Sequence, residues 1–169
     1  MSTCNLNPYQ VIANDPTLKT LKALIDLAGF QSTVASLANS TIFCPTDASF
    51  TNNPSIYNYL VNPANINTLK QVLLYHITGK PYTTRDLYPT RTLLMLNNSS
   101  LFILNNIYLQ FVPVCKDNMN QQYNVVEGNI ATSTGTYLQK IPGVLQPYYI
   151  PYPIIVQCPY NPKCPSYKN

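Results

Sequence analysis

Residues 41–50 read Thr41-Ile42-Phe43-Cys44-Pro45-Thr46-Asp47-Ala48-Ser49-Phe50, and this stretch decides the fold. Thr41, Ile42 and Phe43 are a short β-prone run. Pro45 stops it, because proline cannot donate to a sheet ladder. Thr46 or Asp47 then caps a new helix by accepting from its first free N–H groups. Asp47 also places negative charge at the positive end of the helix dipole. Phe50 comes round one turn later and tucks back under the strand end. The ten residues predict a buried strand, a stop, a capped helix start and an aromatic plug: a strand-to-helix corner.

Upstream, Asn5, Asn7 and Pro8 are breakers, so residues 1–13 read as an extended arm. Asp15-Pro16 predicts a helix start, with Asp as N-cap and Pro at the first helical position. Leu18, Leu21, Leu24, Ile25 and Ala28 follow at helical spacing, and Gly29 closes the helix. Gln31 to Leu37 predict a second short helix with Val34 and Leu37 inward. Downstream, Ile56 to Val61 form a turn or two. Asn67 to Leu74 are helical, with Leu69, Val72 and Leu73 on one side, and Tyr75-His76-Ile77 turns extended. Thr83 to Pro89 is a crossing with one helical turn. The runs Thr92–Leu96, Leu101–Leu104 and Ile107–Val112, separated by Asn pairs, predict an antiparallel meander. Residues 115–124 read as a polar hairpin loop, and Val125-Val126 as the next strand.

Three stretches in order resemble the signatures of the fasciclin domain. The first is residues 41–50, a strand followed by Pro-Thr-Asp and a small-x-Phe pattern, preceded by Leu27-Ala28-Gly29. The second is Leu73-Leu74-Tyr75-His76-Ile77. The third runs from Asn129 to Pro147 and carries Ile130, Ala131, Gly135, Tyr137, Leu138, Ile141, Val144 and Leu145. The resemblance covers residues 14–147. It implies an α+β fold, a compact antiparallel β-sheet wedge wrapped by helices from the first half. It also implies an interaction role, with Tyr75 and His76 matching an integrin-contact pair and Asn129-Ile130 matching the family's Asp-Ile adhesion element. The third stretch departs from the pattern: Asn129 replaces Asp, Thr134 replaces Asn, Gln139 replaces His, and Pro142-Gly143 stands in the Asp region. The apolar positions are kept and the polar ones drift, which supports the fold more than an inherited binding site.

His76 is the only histidine. A lone histidine with no cysteine or second histidine nearby builds no metal site, and a general base needs a positioned partner and a cleft. The expectation is a packed ring whose nitrogens are satisfied by backbone groups or a neighbouring hydroxyl. The six acidic residues are scattered without a pairing that suggests acid/base work, and no Gly-x-Ser-x-Gly elbow or phosphate-cradling glycine loop occurs. No catalytic residue, cofactor or metal is expected, and the chain is read as a non-enzyme. The five cysteines show no Cys-x-x-Cys pair. Cys44 reads as a buried small hydrophobe, and Cys158 and Cys164 as candidates for a small-loop disulfide. Asn39, Asn97 and Asn98 begin sequons, which matter only in a secretory lumen.

Residues 148–169 differ in kind. Prolines alternate with Tyr148, Tyr149, Tyr152, Tyr160 and Tyr167, so helix is excluded and an extended form near polyproline II is expected. Ile150, Ile154, Ile155 and Val156 give this tail the weight of a docking strap. Deleting it is expected to leave the domain folded and abolish assembly. Only 9% of the chain is charged, and no Lys/Arg cluster appears, so a nucleic-acid partner lacks its electrostatic footprint. No apolar run approaches the roughly 18 residues of a membrane span. No leader is visible ahead of the domain, which favours a structural subunit of a surface assembly, such as a virion or capsid-associated protein, bound to itself or neighbouring subunits. The alternative is a secreted or cell-surface adhesion protein. Interaction residues expected on these grounds are Tyr75, His76, Asn129, Ile130, Tyr148, Tyr149, Tyr152 and Tyr160.

Overall fold

The computed structural model describes residues 5–105 and 113–151. Helices α1 (Pro8–Asn14), α2 (Lys19–Ala28) and α3 (Gln31–Ala35) lead into strand β1 (Thr41–Pro45). Then come α4 (Asp47–Thr51), α5 (Pro54–Val61), α6 (Ile66–Tyr75), β2 (Ile77–Thr78) and α7 (Thr84–Leu87). The remaining strands are β3 (Thr92–Leu94), β4 (Ser100–Asn105), β5 (Pro113–Lys116), β6 (Gln122–Asn124), β7 (Glu127–Ala131) and β8 (Tyr137–Ile141). The fold is α+β with two sheets, ordered β2-β1-β8-β7 and β3-β4-β5-β6. The second sheet is an antiparallel meander whose first two strands, β3 and β4, fall on the expected runs. The first is mixed, because β1 and β8 run parallel, Thr41 to Pro45 against Tyr137 to Ile141. The expected Ile107–Val112 run lies outside the described residues.

The alternation along β1 explains the layers. Ile42 and Cys44 point into one apolar cluster with the helices, and Phe43 points into another with the second sheet. A strand covered on both faces has no polar face to show, and all five residues of β1 are buried. Leu21, Leu24 and Ile25 of α2 and Leu69, Val72 and Leu73 of α6 fill the first cluster. Leu93, Leu101, Ile103 and Cys115 fill the second, joined by Tyr75, Leu87 and Met95. Phe50 is buried as a plug and meets Tyr57 edge-to-face at 6.2 Å.

Several local expectations are corrected. Residues 8–14 are helix rather than extended arm. Asn7 is a cap instead of a breaker: its side chain accepts from Gln10 N at 2.9 Å, and the Gln10 side chain accepts from Asn7 N at 3.0 Å. Asp15 does not cap α2. It ends α1 and folds onto Thr17, accepting from its N–H at 2.9 Å, and α2 begins only at Lys19. The free N–H of Thr20 is instead satisfied by Asp47, at 2.7 Å. The carboxylate of the signature thus caps a helix distant in sequence, tying the corner to α2, while Thr46 holds the N-cap position of α4 without a side-chain capping bond. Gly29 closes α2 as expected, with φ +71°. The polar stretch 115–124 is half strand: Cys115 and Lys116 belong to β5 and residues 122–124 to β6, and only residues 117–121 form the hairpin loop. Its turn is organised by the buried Asp117 carboxylate, which accepts from Met119 N and Gln121 N at 2.9 Å each. Val125 and Val126 form the link to β7, which starts at Glu127.

The ordered core continues past Pro147. After β8 the chain passes Gly143, where a Cβ would lie 1.9 Å from the Tyr123 ring, so only glycine fits. Val144, Leu145 and Ile150 are then buried, Ile150 at 1% exposure. No described helix is long and apolar enough to cross a membrane.

Candidate interaction groove

Among the described strands, β7 is the edge of the first sheet and pairs only with β8. Its free side faces α1 and the turn after it across a groove of about 670 Å³. Leu6, Val11 and residues 14–16 line one wall, and the whole of β7 lines the other. A register shift between Glu127 and Ile130 marks a bulge in β7, and Asn129 takes a left-handed φ of +61°. Bulges bend an edge strand and re-aim its side chains. Asn129 is held in this form from several sides. Its Oδ1 accepts from Thr84 N at 2.7 Å, its Nδ2 donates to Thr84 Oγ1 at 3.0 Å, and its own N–H donates to Gln139 Oε1 at 3.0 Å. Gln139 Nε2 donates onward to the Tyr82 carbonyl at 2.9 Å. Gly128 allows this approach: a Cβ there would lie 2.3 Å from Gln139 Oε1.

Charge at the groove mouth is set by Lys140, which is buried in β8. Its Nζ lies 2.6 Å from Asp15 and 2.8 Å from the exposed Glu127. Burial opposes the Lys140 charge, but hydrogen bonds to the two carboxylates outweigh it and hold its pKa above the ordinary lysine value. Burial likewise penalises the Asp15 charge, and the Lys140 and Thr17 hydrogen bonds overcome that, lowering its pKa. Two carboxylates and one ammonium leave an excess negative charge beside the apolar groove, in a chain of net charge +4.

The expected interaction residues fall in three places. Asn129 is exposed and Ile130 half-buried, and both line the groove. Tyr148 and Tyr149 are exposed just before the end of the described chain. Tyr152, Tyr160, Cys158 and Cys164 lie outside the described residues. Tyr75 and His76 are interior: Tyr75 is fully buried and donates to the Ser100 carbonyl at 2.8 Å, and burial raises its pKa. The His76 ring lies 2.7 Å from the Val72 carbonyl through Nδ1, and its Nε2 accepts from Leu145 N at 3.1 Å. Burial lowers its pKa to about 4, so the ring is neutral and both nitrogens are engaged by backbone, as a packed histidine requires. Cys44 is buried as expected. Among the described residues no group of His, Cys, Asp and Glu could hold a metal ion.

The matching model of known families is the fasciclin domain, over residues 16–147. The chain belongs to the fasciclin family. Its domains are generally adhesion and protein-interaction modules, typically in extracellular or cell-surface proteins. A similar solved structure is a pair of such domains from the insect cell adhesion molecule fasciclin I, with TM-score 0.71 and 18% identity. That match covers 83% of this chain and 50% of the insect pair, so the chain spans half the length of that structure. At this identity the likeness shows the fold. No curated protein gives a significant sequence match. Within the family frame, Thr84 and Lys140 are supports of the groove that the sequence reading did not name, and Gln139 stood out there only as a departure from the family's His. Lys140 carried a signal of its own, as a cation between Leu138 and Ile141 in an apolar strand.

Proposed function

We propose that this fasciclin domain is a non-catalytic protein–protein interaction module acting at an exterior surface, with the β7 groove as its contact site. The observation that carries this reading is the placement of Asn129 and Ile130. They stand at the positions of the family's adhesion element, on a bulged edge strand, beside a groove with an apolar wall. An extended partner segment could lie along β7, its apolar side chains in the groove and a basic side chain near Glu127. Attachment of cells to a surface coated with the full chain tests this. Attachment well above an inert protein coat is expected, and attachment no better than that coat would overturn it.

A second reading, a structural subunit of a surface assembly such as a virion, is favoured by a different observation. Leu94, Phe102 and Leu104 share the outer face of the second sheet and are exposed by 66%, 41% and 37%. Light scattering on the full chain, with and without residues 148–169, tests it. A tail-dependent oligomer is expected under this reading, and a monomer in both forms would remove it.

A further inference from the structure

After β8 the described chain joins no strand, and among the described residues its polar ties run to the side chains of His76, Asp117 and Asn118. His76 Nε2 accepts from Leu145 N at 3.1 Å. Asp117 Oδ2 accepts from the next N–H, Gln146, at 2.9 Å. Asn118 Nδ2 donates to the Pro147 carbonyl at 2.9 Å. His76 and Asp117 are both buried, 3% and 1% exposed. The Val72 carbonyl beside Nδ1 assigns the ring proton to that nitrogen, which leaves Nε2 as the acceptor.

We propose that His76 is an acid-sensitive latch on residues 144–150: a proton on Nε2 turns the acceptor of the Leu145 N–H into a donor and releases this segment while the two sheets stay folded. The backbone of the segment is tied by side chains instead of a ladder, so it opens apart from the two sheets, at the cost of exposing the buried Val144, Leu145 and Ile150. Release would uncover Val144, Leu145 and Ile150 and free the root of the tail with Tyr148 and Tyr149.

The charged surroundings set the sign. Among the described residues no charged group bears on the His76 ring; burial alone drives its pKa down, with the Val72 carbonyl opposing. Its folded pKa is depressed, so the stability it contributes is present above the ordinary value of 6.5 and is lost as pH falls toward about 4. Asp117 works the other way. Burial raises its pKa against three backbone N–H bonds, so its contribution is present at low pH and lost as pH rises. Tyr75, the neighbour of His76, senses Asp117 and Cys115, and burial raises all three. His76 alone would multiply release about 30-fold between pH 7.5 and pH 5, and Asp117 opposes that change.

Amide exchange on the full chain tests the latch, corrected for intrinsic rates and read at Leu145 and Gln146 against Tyr137 and Val126. Those reference amides donate to the Ser40 and Lys140 carbonyls at 3.0 and 2.9 Å, away from the segment. The expected result is a loss of protection of up to about 30-fold at Leu145 and Gln146 by pH 5, with Tyr137 and Val126 unchanged. His76→Gln, which does not titrate, is expected to flatten the profile. A flat profile in the natural chain, or loss at all four amides in step, would overturn the proposal, whether or not the variant folds.

Discussion

Ending the chain at Pro147, where the family match stops, removes more than a linker. Ile150 is 1% exposed and packs into the helix-side cluster that also holds Val144, Phe50 and Ile56. Loss of a buried isoleucine side chain costs about 2–5 kcal/mol, from lost transfer energy and the cavity left behind. Tyr148 and Tyr149 are exposed and add little to the folded state. A chain ending at Pro147 should therefore be about 2–5 kcal/mol less stable than one ending at Pro151. With a urea m-value of roughly 2 kcal/mol/M for this size, the midpoint falls by roughly 1–2.5 M. Ile150→Ala in the full chain should reproduce most of the drop with an unchanged m-value. Equal midpoints for the two truncations, together with a neutral Ile150→Ala, would refute the reasoning and put the boundary at Pro147.

Further outcomes follow from Lys140 and Gly143. Lys140→Met leaves the Asp15 carboxylate, 14% exposed, without its cation, and urea unfolding at pH 7 should show a loss of about 2 kcal/mol, below the full buried-pair value because Glu127 is solvated. Asp15 has a depressed folded pKa, so the natural pair's contribution is present above its ordinary value of 3.8 and lost as pH falls through the folded pKa; the deficit of the variant should shrink toward pH 3. Gly143→Ala drives a methyl into the Tyr123 ring, and thermal unfolding should show about 1–3 kcal/mol of destabilisation. Adding Tyr123→Ala should recover part of that loss, a non-additivity expected of side chains in contact.

Much of the fold was legible because its signals were local. The apolar run of β1, the 3.6-residue spacing in α2 and α6, and the Gly29 cap each depend on neighbours within a turn or two. The neutral, packed His76 was legible from the absence of partners in sequence. What could not be read is what depends on distant pairs. Asp47 serves α2 through Thr20, and Asp15 serves Lys140, each across a long stretch of chain. Local propensity assigned both carboxylates to the nearest helix start, and tertiary contact reassigned them. Asn7 was misread because asparagine marks turns and N-caps alike; Gln10 at the capping-box position decides it. The groove was half legible: Asn129 and Ile130 came from the family pattern. The bulge that presents them and the Thr84–Gln139 clamp that holds them have no signature along the chain.

Contact with a partner through the β7 groove is open to direct test. The most direct measurement compares cell attachment to the natural chain with attachment to Ile130→Lys and to Leu104→Lys, each shown by circular dichroism to be folded. Ile130 lines the groove, and Leu104 lies on the outer face of the second sheet. The account predicts that Ile130→Lys loses most attachment while Leu104→Lys keeps it. Full attachment by Ile130→Lys, or loss in Leu104→Lys alone, would contradict it.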